Sequence, residues 1–211
     1  MGFDLNGLDP KKNTEYPKEY NDIMNKYGKD GWLDWSMDIP DETKNKYFEL
    51  KDQFQEENPG EYFRNNVWFW RPLWNFVCDN CSDFLTEKDM DKGNYNDCAK
   101  ISKTKAVKIA KRLSKLIADG TVNELHRINA LMRAQAKIHH DEVKAEMARI
   151  TKECQDKHGK DLVPANFPKP YKSQWEKAYA KENWSASYPF DEDNIKDFAI
   201  FCQQSGGFKI C

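Results

Sequence analysis

Between Tyr62 and Trp74 the chain places three Trp, two Phe, one Tyr and two Arg within thirteen residues. No other stretch limits the fold so strongly. Each aromatic side chain of this size buries roughly 150–250 Å², so the segment demands a core. Pro72 fits the first turn of a helix, and Leu73, Phe76, Val77 and Cys81 follow at helical spacing. The residues before it, near 62–70, read as a strand. With 211 residues, the chain suits one domain or one domain with an insertion. Seven Trp, nine Tyr and twelve Phe exclude a uniformly disordered chain.

The rest of the chain is read around that segment. Gly2–Leu5 opens as a strand, a short helix is expected around 20–27, and another over 42–57 ends at Asn58-Pro59-Gly60. Residues 86–97 are turn-rich and read as a loop. The clearest helix spans 101–118, where Ala106, Ile109, Ala110, Leu113, Leu116 and Ile117 share one arc. A second, longer helix covers 121–158, free to protrude or to pair with the first. Three prolines in 159–173 suggest an extended linker, followed by a short helix over 175–183. A helix over 191–204 is stopped by Gly206-Gly207, and Phe208–Cys211 forms a last strand. The expected fold is α+β and mostly helical. A small antiparallel sheet is built from the chain ends and the Trp-rich segment, packed by the helices at 73–84, 101–118 and 191–204. Residues 1–118 and 184–211 make one core domain, and 119–183 form a helical insertion.

Charge is unevenly spread. Residues 1–99 carry a net −9, residues 100–160 a net +8, and the remainder −1. Much of the positive charge lies on the solvent side of the 101–118 helix. A solvated face accounts for it, and so does a surface for an anionic partner, with Lys103, Lys108, Lys111 and Lys115 as phosphate contacts. An isoelectric point near 6.1 is not that of a typical nucleic-acid binder. Mean hydropathy is −0.93 and no apolar run approaches a membrane span. The start lacks the basic-then-apolar order of a secretory signal. These features suggest a soluble intracellular protein with no membrane partner, and therefore reduced cysteines.

Cys78 and Cys81 have the C-x-x-C spacing that lets two thiolates face one zinc ion. Two more ligands would be needed, from Cys98, Cys202, Cys211 or the four His. No second C-x-x-C exists, so plain buried thiols and no cofactor are the expectation. His139, His140, Asp141 and Glu142 sit together on the long helix, but adjacent residues point different ways, and they read as surface positions.

Three stretches together resemble a family of uncharacterised proteins of bacteriophages and prophages. The first is Met1-Gly2-Phe3-Asp4 with Gly7 and Pro10. The second runs from Glu61-Tyr62-Phe63-Arg64-Asn65-Asn66-Val67-Trp68 through Arg71-Pro72-Leu73-Trp74 and Cys78 to Gly93-Asn94-Tyr95-Asn96-Asp97. The third is Tyr188-Pro189-Phe190 with Phe198, Phe201, Ser205-Gly206-Gly207-Phe208 and Cys211. Similar proteins often carry a Cys-rich insertion where this chain has its long helix and only Cys154. The resemblance implies a phage gene product acting in the host cytoplasm or with the virion. It implies a core built from both chain ends, and no particular chemistry.

Three functions are compatible with these residues. The first is a non-enzymatic accessory protein that binds a planar anionic ligand, a nucleotide or nucleic acid. Arg64, Asn65, Asn66, Trp68, Trp70, Arg71 and Trp74 would form its site, because indole faces stack on bases while guanidinium groups hold phosphate. The competing account of the same residues is a Trp-rich core with Arg at its edge. The second function is a protein–protein or virion-associated scaffold, in which the long helix meets a host or phage protein or a second copy of the chain. The third is an enzyme of unknown class. No nucleophile elbow, phosphate-binding Gly-rich loop, HExxH or dinucleotide glycine pattern is present to support it.

Overall fold

The computed structural model describes residues 2–211, and the chain separates into two compact units. One comprises Met1–Thr121 with Glu192–Cys211, the other Val122–Asp191. The elements run β1 (Gly2–Gly7), α1 (Lys18–Tyr27), β2 (Gly28–Lys29), β3 (Trp32–Leu33), α2 (Asp41–Glu57), β4 (Tyr62–Asn66) and α3 (Val67–Cys81). Then come α4 (Glu87–Lys92), β5 (Ala99–Ser102), α5 (Lys103–Ala118), α6 (Thr121–His158), α7 (Lys169–Tyr179), α8 (Glu192–Gln204) and β6 (Gly207–Ile210). Short 3-10 turns stand at Pro164–Asn166 and Trp184–Ser187. The fold is α+β and mostly helical, with a small antiparallel sheet.

In the first unit the four-stranded sheet has the order β4-β1-β6-β5, every pair antiparallel. The strands from the two chain ends are therefore the central ones. Alternation along each strand sorts the faces. Phe3, Leu5, Ile101, Phe208 and Ile210 are buried on one side, where α3, α5 and α8 pack. Phe3 stacks on Trp70 at 5.3 Å, Trp70 on Trp74 at 5.3 Å, and Phe198 of α8 meets both Trp70 and Phe208 edge-on at 5.9 Å. The indole-rich layer and the last strand thus share one core. Each buried indole contributes roughly 4–6 kcal/mol of hydrophobic stabilisation before entropy is counted.

Several local expectations differ from the structure. The helix placed at 73–84 begins at Val67, so Pro72 lies inside α3 rather than in its first turn. The reason is Asn66, whose side chain accepts from the backbone N–H groups of Trp68 (3.0 Å) and Phe69 (3.1 Å) and starts the helix early. The strand correspondingly stops at Asn66 instead of 70. Residues 99–102 pair with β6 before α5 starts. Within the supposed loop 86–97, Thr86 and Asp89 cap α4 reciprocally. The supposed linker 159–173 holds a 3-10 turn and the start of α7. The stop after α8 is as its residues suggest. Gly206 and Gly207 take φ of 64° and 92°, left-handed values at which other residues are strained.

In the second unit, Val143, Ile150, Cys154, Phe167 and Ala178 are buried. Arg133 Nε donates to the Ala186 carbonyl at 2.8 Å, and Asn129 Oδ1 accepts from the Phe190 N–H at 2.9 Å. His140 is not the surface residue it was expected to be. It is buried with Nδ1 3.3 Å from the Glu182 carboxylate, because the return segment after α7 covers that side of α6. Among the described residues no helix is long and apolar enough to cross a membrane.

Candidate anion-binding face

The outward face of the four-stranded sheet carries the alternate residues of each strand. Its register arranges them in rows. One row reads Lys100, Lys209, Asn6 and Tyr62 across β5, β6, β1 and β4. The row beside it holds Asp4 and Arg64, opposite each other. Asp4 also exchanges both backbone hydrogen bonds with Cys211, at 2.7 and 2.8 Å, which extends the β1–β6 ladder by one pair. Cys211 is joined to Cys98 by a disulfide, with Cα atoms 4.2 Å apart.

This pairing overturns the expectation of reduced cysteines at these two positions. Antiparallel β5 and β6 bring the residue before Ala99 beside the residue after Ile210, although 113 positions separate them in sequence. Two donors considered for zinc are thereby consumed.

The electrostatics of the face are lopsided. Asp4 accepts from the Tyr62 hydroxyl and has Arg64 Nε at 3.5 Å. Burial, reinforced by the Asp4 carboxylate, pushes the Tyr62 phenol well above its ordinary value, so it stays a neutral donor. Lys100 and Lys209 stand directly opposite each other, and among the described residues neither ammonium has an ion-pair partner. Like charges facing across a strand pair repel. By contrast, the cleft of about 500 Å³ along the free edge of β4 is lined by Asp52, Glu56 and Asp197 with Tyr62, Phe63 and Ile200, and would repel an anion.

The residues proposed from sequence for a stacking site divide sharply. Trp70 and Trp74 are 0 % and 2 % exposed, and their indole N–H groups donate to the carbonyls of Gly93 and Met90, each at 2.7 Å. They belong to the core and have no face left for a ligand, because helical spacing of four turns both inward. Asn66 is the cap of α3, Asn65 donates to Asn194 Oδ1 at 2.9 Å, and Arg71 reaches Asn94 Oδ1 at 3.2 Å. Arg64 and Trp68 remain at the surface.

The basic side of α5 is likewise broken up. Lys103 pairs with Asp9 at 3.0 Å, Lys105 with Asp89, Arg112 with Asp83 at 2.9 Å, and Lys108 lies over the Phe84 ring. Lys111 and Lys115 point to solvent. Four lysines therefore do not converge on one phosphate.

Cys78 and Cys81 are one turn apart on α3. Burial pushes their thiols up to about 11 and about 12, and that of Cys202, which is fully buried, higher than its ordinary range. Among the described residues no group of three or more His, Cys, Asp or Glu is placed to hold a metal.

Sequence reasoning missed the Lys100–Lys209 pair. Its signal is slight: two lysines alternating with apolar residues in the four-residue strands AKIS and GFKI. No family model, no curated protein and no solved structure matches this chain.

Proposed function

We propose that the protein acts by binding, and that its ligand is a phosphate-bearing one, a nucleotide or a single-stranded nucleic acid, held on the open face of the sheet. The supporting observation is the opposed and uncompensated pair Lys100 and Lys209. Arg64 adds a third cation on the same face, and the one carboxylate there, Asp4, already serves Tyr62 and Arg64. An anion bridging the two lysines would relieve their repulsion and gain two charge-assisted contacts. The resemblance to phage proteins would put such an accessory protein in the host cytoplasm or with the virion, where nucleotides and nucleic acid are within its reach.

The test is fluorescence anisotropy with a labelled oligo-dT of twenty nucleotides and with labelled ATP, at low and moderate salt. Binding of either probe should weaken as salt rises, and Lys100→Ala with Lys209→Ala should lower the salt slope by roughly one per lysine. The two probes distinguish a nucleotide from a strand. Lysines that merely keep the sheet face solvated would leave both probes bound equally well, or not at all, in wild type and variant, and the reading would end there.

A second reading rests on α6. Leu125, Ile128, Leu131, Met132 and Ile138 are 37–65 % exposed along that helix. Such a row suits a second copy of the chain or a host or virion protein. Native mass in solution tests the first of these. A dimer abolished by Leu131→Glu would favour it, and a monomer at all concentrations would remove it.

A further inference from the structure

Between α1 and α2 the chain passes through the β2–β3 hairpin and a bend ending at Ile39. Its inward residues, Leu33 and Ile39, join Tyr20, Tyr47 and Leu50 in a small buried cluster. Its outward residues are also large. Trp32 is 60 % exposed, Trp35 61 % and Met37 45 %, and Phe48 of α2 adds another at 43 %. These are not scattered side chains. Trp35 stacks on Phe48 at 6.2 Å, Phe48 meets the edge of Tyr47 at 5.2 Å, and Lys51, one helical turn on, holds its ammonium 3.7 Å from the centre of the Trp32 ring. The rings form one shelf along the side of α2. Single exposed apolar residues are ordinary, whereas a connected set of this kind marks a contact surface, and Trp is the residue most often found at the energetic centre of one.

Charge selects the partner. Residues 28–57 carry nine acidic and four basic side chains. Asp34, Asp38 and Asp52 adjoin Trp35, Met37 and Lys51 in the chain, and Asp38 and Asp52 are exposed. Of the four cations, Lys44 and Lys46 are engaged by Asp41 at 2.8 Å and Glu49 at 3.1 Å, and Lys29 stands opposite Trp32 across the hairpin, where it acts on Asp34. Lys51 is spent on the Trp32 ring, a contact that shows this indole face accepting an ammonium group. An anionic partner would be repelled, and a purely apolar one would strand the carboxylates.

We propose that this shelf docks a basic polypeptide segment, whose Lys and Arg side chains stack on Trp32 and Trp35 and pair with the neighbouring aspartates. Arg suits both contacts best, being planar and weakly hydrated. In the free protein Lys51 occupies the place of one incoming cation, so a partner must displace it.

The experiment is isothermal titration of the full chain with nona-arginine, and with nona-glutamate as the control. Because charge alone attracts a polycation, the deciding variants hold charge constant. Trp32→Ala with Trp35→Ala should weaken nona-arginine binding roughly tenfold. Lys51→Ala, which vacates the Trp32 ring, should tighten it severalfold more than Lys44→Ala, the same charge change elsewhere on α2. Circular dichroism checks that each variant folds. If the double indole variant does not, the two lysine variants decide alone. Equal affinity with and without the indoles, equal effects of the two lysine variants, or no heat with nona-arginine in 50 mM salt would each overturn the proposal.

Discussion

The indole of Trp70 donates to the Gly93 carbonyl at 2.7 Å, and Gly93 itself lies against the ring of Trp74. A Cβ at Gly93 would stand 2.0 Å from Trp74 Nε1. Gly93→Ala should therefore destabilise the protein by roughly 2–4 kcal/mol through overpacking. Urea unfolding measures it. A midpoint within error of wild type would show that the segment carrying Gly93 can move aside.

The Cys98–Cys211 disulfide closes a span of 113 residues. Loop-closure entropy assigns such a link about 5 kcal/mol, which for a chain of this size is roughly 10–20 °C in the melting midpoint. Cys98→Ser, or dithiothreitol on the wild type, should lower the midpoint by that amount, and the two treatments should not add. Free-thiol titration of the unreduced, denatured protein should find Cys78, Cys81, Cys154 and Cys202.

Asp89 is the anchor of α4. Its side chain is 6 % exposed, accepts from the Thr86 hydroxyl and from Lys92 at 2.8 Å, and binds Lys105 of α5. Burial alone would raise its pKa, but the hydrogen bonds from Lys105, Lys92 and Thr86 outweigh it and hold the carboxyl well below the usual range. A depressed pKa stabilises the fold above the unfolded value near 3.9, and that stability is lost as pH falls through the folded pKa. Asp89→Asn should cost about 2–4 kcal/mol at pH 7 and progressively less in acid. A variant whose loss of stability is the same at pH 7 and pH 3 would contradict this.

The phenols of Tyr20 and Tyr47 lie in the cluster beneath the aromatic shelf. Burial, with the neighbouring tyrosine adding to it, pushes Tyr20 up to about 12 and Tyr47 higher still. An acid whose pKa is raised by folding contributes stability that is complete below the unfolded value near 10 and disappears as pH climbs toward 12. Absorbance at 295 nm should show fewer than nine tyrosines ionising at pH 11 in the native protein and all nine in urea.

What was legible in the sequence depended on how local the signal was. Gly2–Leu5, the stripe Ile109–Ala110–Leu113 and the stop at Gly206-Gly207 are decided by neighbours a few residues away, and they gave the strand, α5 and the end of α8 directly. Strand β5 was hidden because Ala99–Ser102 is short and Ile101 continues the helical stripe of α5; only its pairing with β6 separates the two. Asp89 sits among polar residues whose composition resembles a loop, and its partner Lys105 lies sixteen positions on. Most instructive are Trp70 and Trp74. With 62–70 read as a strand and the helix begun at 73, nothing in the sequence put them on one helix face; the Asn66 cap does that, and Phe3 and Phe198 from the two ends of the chain make that face part of the core. The chemistry of the exposed sheet face was harder still, since Lys100 and Lys209 acquire meaning only as neighbours.

The placement of β6 between β1 and β5 has a temporal consequence. During synthesis, β1 leaves the ribosome with one ladder edge unfilled and β5 with no strand partner, and neither pairing can form until residues 207–210 emerge. The sheet must close after translation of this segment, with an unsealed gap exposed to chaperones or to other nascent chains until then.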